Sequence, residues 1–378
     1  MVKVNRYDCS RKLLIITNLS CNLRCTYCYQ HKDKDTVFNV DETLKQLIPA
    51  LETKTAKGTI IKMLGGEPFL VFDKIKDMCE RVWAMGLPEN FLFHTTSNGT
   101  LVHGEIQTWL EKHKEEFTIK LSLDGNKALN DINRPGAFDM IDLDFFKRMW
   151  PDVGIKMTIS PDSISHLFDS IVFFHEYGFA TIKTNFAELV NWNQEGLFEN
   201  FYRQMKLLKE YYLTNPQLTP CRLFQIPFRR CINSVTQFHP CTLGERTVID
   251  CKSGINYPCV FFLPSVCGAK KSAELLKIDM TKESNLVDDK CGKCCFLNIC
   301  KTCYASNYIQ RGKTSSRDEA ICKLQQVCFA ISAEYMIEKY IKGSIDIGTG
   351  KDAINIYQDM KAIKELYPQL DEIRSNFE

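Results

Sequence analysis

Between residues 13 and 29 an apolar run of strand length, Leu13-Leu14-Ile15-Ile16, leads directly into three cysteines, Cys21, Cys25 and Cys28. The strand delivers three thiols to one loop. Three cysteines packed within eight residues, without a fourth at matching spacing, can give an iron–sulfur cluster three of its four ligands and leave one iron open to a substrate or cofactor. Four-thiolate zinc sites pair two C-x-x-C knuckles, and the three-residue first gap is atypical for them. A disulfide framework needs a secretory context that nothing in the chain indicates.

The cysteine usage extends this reading. The chain has 18 cysteines among 378 residues, and thirteen of them fall between Cys221 and Cys328; Cys9 and Cys79 stand alone. In a reducing cytoplasm so many thiols are better explained by metal ligation than by disulfides, and oxygen-sensitive clusters imply low-oxygen work. The shift in composition, just after the breaker Thr214-Asn215-Pro216, puts a second domain near residue 215. A formal net charge of +2 gives no field that would draw nucleic acid or a membrane surface. No run of ~18 apolar residues and no signal peptide are present, so a cytoplasmic, membrane-free protein is expected.

Over the first two hundred residues strands and helices alternate. Strands are expected at 59–64, 91–96, 117–123, 154–159 and 181–186, and helices at 41–52, 72–85, 104–114, 143–150 and 163–177. With the strand at 13–17 this gives six strand–helix units and predicts a parallel sheet with right-handed crossovers, doubly wound or curled into a partial barrel. Chemistry then belongs at the C-terminal strand ends. Each polar motif lies there: Gly65-Gly66-Glu67-Pro68, Thr96-Ser97-Asn98-Gly99-Thr100, Ser122-Leu123-Asp124-Gly125, then Thr158 with Ser160, then Asn185. Singly, each reads as a turn. Five at successive strand ends, beside a loop with three cysteines, read as one site.

The pattern Cys21-x-x-x-Cys25-x-Tyr27-Cys28 resembles the cluster loop of the radical S-adenosylmethionine (SAM) enzymes. The resemblance implies an α/β fold, a partial (β/α)6 TIM-like barrel, with a 4Fe-4S cluster on Cys21, Cys25 and Cys28. It implies that Gly65, Gly66 and Glu67 bind the SAM amino group, that Ser122 and Asp124 lie beside the ribose or methionine moiety, and that Tyr27 packs near the adenine. Arg134 resembles an arginine that grips the SAM carboxylate, the alternative being a solvated loop arginine. Ser97, Asn98 and Thr158 complete the strand-end set counted as cofactor-binding.

The later cysteines follow a second pattern. Cys241 is followed after twelve residues by Gly254 and after four more by Cys259, then come Cys291, Cys294, Cys300, Cys303 and Cys322 with gaps of two, five, two and eighteen. This resembles the SPASM domain of peptide-modifying radical SAM enzymes, including the hairpin Gly254-Ile255-Asn256-Tyr257-Pro258-Cys259. One departure is the gap of two between Cys300 and Cys303, where the pattern has three. By the resemblance Cys291, Cys294, Cys300 and Cys322 hold one auxiliary 4Fe-4S cluster, and Cys241, Cys259 and Cys303 hold another, nearer to SAM. The fourth ligand of the latter stays open among Cys231, Cys221, Cys251, Cys267 and a substrate thiolate. Cys295 and Cys328 read as spectators. The alternative is a pair of zinc knuckles on Cys291/Cys294 and Cys300/Cys303. The expected division is a barrel at 1–215, a SPASM segment with its closing helix at 216–342, and a helical tail at 343–378.

The resemblance implies an oxidoreductase that reductively cleaves SAM to a 5′-deoxyadenosyl radical and oxidatively modifies a peptide or protein, the auxiliary clusters taking up the electron left on the product. A ferredoxin or flavodoxin would supply the reductant. In sulfatase-maturing relatives an aspartate follows the hairpin cysteine as base, whereas Val260 stands here. Formylglycine formation is thereby weakened, and a carbon–carbon or thioether crosslink in a ribosomally made peptide is the leading expectation. About a dozen residues precede the first strand, too few for a winged-helix peptide-recognition domain. Leader recognition then falls to the core domains or to a separate protein. No catalytic base is assigned, and a non-catalytic zinc or electron-transfer protein is the reading from another class.

Overall fold

The computed structural model of the chain describes residues 9–232, 241, 243, 246–250, 254–343 and 351–378. They group into two compact units, Met1–Lys156 with Thr242–Lys277, and Met157–Cys241 with Ile278–Glu378.

The first unit is built on β1 (Arg11–Leu19), where Leu13, Leu14, Ile15 and Ile16 are all buried. A continuous apolar run is what a parallel strand covered on both faces requires. After β2 (Asp33–Val37), antiparallel to the end of β1, come β3 (Thr59–Gly65), β4 (Phe91–Ser97), β5 (Phe117–Ser122) and β6 (Ile155–Ile159). β3, β4 and β5 follow β1 in parallel order, and the first two residues of β6 pair with β5. On its other side β1 pairs in parallel with β8 (Arg246–Ile249), and β9 (Asn256–Tyr257) turns back antiparallel against β8. The sheet is therefore open, in agreement with the expected partial barrel, and the hairpin read from Gly254 to Cys259 forms its edge.

The second unit contains the rest of β6 beside β7 (Ile182–Phe186), and long helices at Leu197–Thr214, Glu319–Ile341 and Lys351–Ser375. Lys209 is buried between the first two of these helices and pairs with Glu334 and Glu338. The closing helix, Glu319–Ile341, thus packs on a helix, Leu197–Thr214, outside those expected from periodicity. The tail is part of the core. Ala362, Ile363, Leu366 and Leu370 pack with Phe228, Phe296, Ile299 and Phe329, and Asp359 receives both the backbone N–H and the Nη1 of Arg229 at 2.6 Å. Among the described residues no helix is long and apolar enough to cross a membrane.

Candidate functional site

Near its end β1 carries Thr17 and Asn18, both fully buried, and after Leu19 it hands the chain to the cysteine loop. That loop is stitched to three neighbouring elements. Ser20 O accepts from the Glu67 N–H at 2.9 Å and Asn18 O from the Gly66 N–H at 3.2 Å, which ties it to the end of β3. Asn22 donates to Thr100 Oγ1 at 2.7 Å and accepts from Asn98 Nδ2 at 2.9 Å, which ties it to the turn after β4. The Thr26 N–H donates to Asn133 O at 3.0 Å, on the short helix Lys127–Asn133.

The two glycines are needed for close approach. A Cβ on Gly66 would lie 2.0 Å from Ser20 O and 3.0 Å from Cys21 Cβ, and one on Gly65 would lie 2.1 Å from Asn18 Oδ1. Any side chain here would push the cysteine loop off the sheet. Glu67, 1% exposed, accepts from Asn98 N at 2.8 Å, Ser97 Oγ at 2.8 Å and Phe69 N at 3.2 Å. Burial pushes its carboxyl above the usual range, against the pull of these hydrogen bonds. Its side chain therefore braces β3 against β4, leaving the backbone of Gly65 and Gly66 as the part of this motif able to meet a ligand. Ser97 and Asn98 serve the same brace.

A second network forms past β5. Asp124, 1% exposed, accepts from Tyr27 Oη at 2.6 Å and Arg134 Nε at 2.9 Å, and its N–H donates to Asn130 Oδ1 at 3.0 Å. The guanidinium lies over the Tyr27 ring, 5.4 Å from its centroid, and Nη1 points at Cys25 Sγ at 3.8 Å. Burial works against the Arg134 charge, but Asp124, Tyr27 and Cys25 together hold it in place. Arg134 is thus a buried, partnered arginine rather than a solvated one. Beside it lies Lys156, half-buried on β6, whose pKa is lowered by burial and by Arg134 and supported only by Asp124. Among the described residues its ammonium has no hydrogen bond or ion pair. The sequence signal was there to find: a lone lysine in the apolar run Gly154 to Ile159. Ser122 is buried at the end of β5, and Thr158 lies on β6 in the second unit.

Cys21, Cys25 and Cys28 lie close enough to feel one another's charge. Burial raises the pKa of Cys21 and Cys25, and thiolates on the other members of the trio raise it further. Free thiols held together by a braced loop fit a cluster that binds them as thiolates. Among the described residues no group of three or more His, Cys, Asp or Glu side chains is arranged to hold a metal ion.

In the second unit Cys291, Cys294, Cys300 and Cys322 form a comparable group. Cys300 senses Cys322 and Cys294, Cys291 senses Cys300, and Cys322 senses Cys294. Burial lifts Cys291 to about 12 and Cys300 to about 11. The buried Nε and Nη2 of Arg317, a residue the sequence reading passed over, have no acceptor among the described residues. Unpaired donors of a cation beside four thiols fit an anionic cluster. Cys241 and Cys303 belong to the same unit and Cys259 to the first. Of the fourth-ligand candidates, Cys231 lies beside Cys295 and Cys294. Cys221 is buried beside Cys328 and donates its N–H to Tyr212 Oη. Cys267 donates to Leu263 O at 3.3 Å. Cys251 lies outside the described residues.

Comparison with known proteins agrees with this geometry. The radical SAM superfamily model matches residues 15–142. The serine-type anaerobic sulfatase-maturating enzyme of Klebsiella aerogenes is 32% identical over 123 residues, 31% of this chain and 30% of its own length, so this match spans under a third of that relative. The cysteine-type enzyme of Clostridium perfringens is 21% identical over 329 residues, covering 74% of this chain and 85% of the relative. Among solved structures, native anSMEcpe with bound AdoMet and the Cp18Cys peptide has a TM-score of 0.63 at 19% identity, over 89% of this chain and all of that one. Streptococcus suis SuiB bound to the precursor peptide SuiA has 0.56 at 18%, over 83% of this chain and 76% of that one. These structures share the fold. Residues 15–142, with the cysteine trio, the Gly-Gly-Glu turn and the Asp124–Arg134 network, are a radical SAM domain related to that of the anaerobic sulfatase-maturating enzymes.

Proposed function

We propose that this chain is a radical SAM peptide maturase that oxidatively modifies a peptide, forming a carbon–carbon or thioether crosslink. The observation that carries the reading is the trio of neighbouring free thiols, Cys21, Cys25 and Cys28, held at the end of β1 by Asn22, Asn98 and Glu67 inside a radical SAM domain. Bound SAM and its cluster would together supply a 5′-deoxyadenosyl radical able to take hydrogen from an unactivated carbon.

The chain's own residues orient and enclose. The backbone of Gly65 and Gly66 would receive the SAM amino group, and Ser122 and Asp124 the ribose or methionine part. Tyr27, its hydroxyl tied to Asp124, would offer a ring face to the adenine. Arg134, held at Nε by Asp124, would bring its guanidinium to the SAM carboxylate, with Lys156 beside it as a second cation. The quartet Cys291, Cys294, Cys300 and Cys322 would hold one auxiliary 4Fe-4S cluster, and with the cluster assigned by resemblance to Cys241, Cys259 and Cys303 the total would be three. The functional division at 215 and 342 belongs to this reading, as do an external reductant and a separate leader-binding protein. That the solved neighbours include peptide-bound forms supports a peptide substrate.

A second reading, oxidation of Cys or Ser to formylglycine, is favoured by the similarity to the sulfatase-maturating enzyme over 74% of the chain. Against it, the position after the hairpin cysteine holds Val260, apolar and buried, which has no proton to move. Mass spectrometry of a candidate peptide separates the two. Loss of two hydrogens with a new crosslink supports the first, and an aldehyde in place of Cys or Ser the second. The shared premise is tested by Cys25→Ala, which should abolish 5′-deoxyadenosine release; undiminished release would overturn both.

A further inference from the structure

Arg317 sits immediately before the N-cap of the helix Glu319–Ile341, and Cys322 lies on the first turn of that helix, its N–H bonded to Asp318 O at 2.9 Å. The acids and bases nearby are already allotted. Arg311 donates from Nη1 to Asp318 Oδ2 at 2.9 Å, from Nε to Ser316 O at 2.7 Å and from Nη2 to Asn307 Oδ1 at 2.7 Å, which fixes the segment on both sides of Arg317. The other oxygen of Asp318 caps the helix, accepting from Ala320 N at 3.0 Å and Ile321 N at 3.2 Å. Asp288, beside Cys291, accepts the Cys291 N–H at 2.8 Å. Glu188, lining a cavity with Arg317, bonds Ser306 and faces Arg311, so none of these carboxylates pairs with Arg317.

Its guanidinium is nevertheless turned inward. Nε and Nη2 are buried without an acceptor, one hydrogen bond reaches Cys300, and the charges it senses are those of Cys300, Cys291 and Tyr304. A buried cation without a counter-ion is costly, and two empty donors of a planar fork add the penalty of unmet hydrogen bonds. Both penalties vanish if sulfur atoms of an anionic cluster sit where the fork points.

We propose that Arg317 is a positioning residue that donates from its guanidinium to sulfur atoms of the auxiliary cluster on Cys291, Cys294, Cys300 and Cys322, and thereby raises that cluster's reduction potential. The proposal rests on the quartet reading given above. A 4Fe-4S core with four thiolates is anionic, and reduction adds one electron and one negative charge without breaking a bond. A fixed cation and N–H···S hydrogen bonds favour the reduced form over the oxidised one. Such a cluster is the better acceptor for the electron left when an oxidised product forms.

The test uses the full chain, reconstituted anaerobically with iron and sulfide, in a Cys21→Ala/Cys25→Ala/Cys28→Ala background that removes the first cluster. Iron is counted, and midpoints are read by redox titration followed by electron paramagnetic resonance. Cys322→Ala in the same background identifies the quartet's signal by its loss; if iron and signal survive that change, the quartet reading fails and the proposal with it. Given that loss, Arg317→Gln should keep the iron and move the quartet's midpoint to lower potential, with Arg317→Lys, charge kept and fork lost, moving it less. An unmoved midpoint in Arg317→Gln at full iron content overturns the proposal while leaving the quartet standing. If Arg317→Gln loses the cluster, Arg317→Lys decides: a lowered midpoint supports the role and an unchanged one overturns it.

Discussion

The cysteine trio of the first unit and the cysteine quartet of the second are built on opposite charge plans. Beside the trio, the arginine at Cys25 arrives with its own carboxylate, since Arg134 is bound to Asp124 at 2.9 Å with both side chains almost fully buried. Beside the quartet, the neighbouring acid is taken by Arg311, and Arg317 faces the thiols alone. The buried arginine beside the trio is thus neutralised in advance.

The most severe way to break that comparison is Asp124→Ala, which strands a buried guanidinium and should cost about 3–5 kcal/mol in denaturant unfolding of the metal-free chain. Arg317→Gln, which removes a stranded one, should leave the metal-free chain as stable as before or more so. Equal losses in the two would erase the distinction. Next in size is Gly66→Ala, whose methyl meets the Ser20 backbone and should cost about 3 kcal/mol, with cluster content falling at the trio and holding at the quartet. Glu67→Gln puts an amide N–H against one of the N–H donors the carboxylate now receives, a loss of about 2 kcal/mol. Smallest, Asn98→Ala releases Asn22 and Thr100 for about 1 kcal/mol, and should loosen the cysteine loop enough to slow cluster incorporation there alone.

The strands were readable because a parallel sheet covered on both faces favours apolar, β-branched segments, which 13–16 supplies outright and 59–64 and 117–121 supply with a single lysine each. β2 was not, since Asp33-Lys34-Asp35-Thr36-Val37 is polar and is held by pairing with Asn18 and Leu19. The cysteine spacing announced the trio and the quartet, but their surroundings came from distant pairings. Nothing local to Asn98 says that its partner is Asn22, 76 positions away. Glu67 reads in sequence as a ligand and in three dimensions as a brace, because its hydrogen bonds come from β4. Arg317 carries no sequence mark at all. Its meaning lies in which carboxylates are already occupied.

The packing of the helix Lys351–Ser375 into the core that includes Cys300, with Cys231 and Cys294 against it, has a consequence for biosynthesis. Most stitches around the trio come from residues between Asn18 and Arg134, which leave the ribosome early, with Phe261 and Ser265 joining at Tyr29 and His31. The apolar bed beneath the quartet lacks a wall until Ile373 has emerged, so a nascent chain holds those cysteines in an unfinished cleft until the last helix has docked.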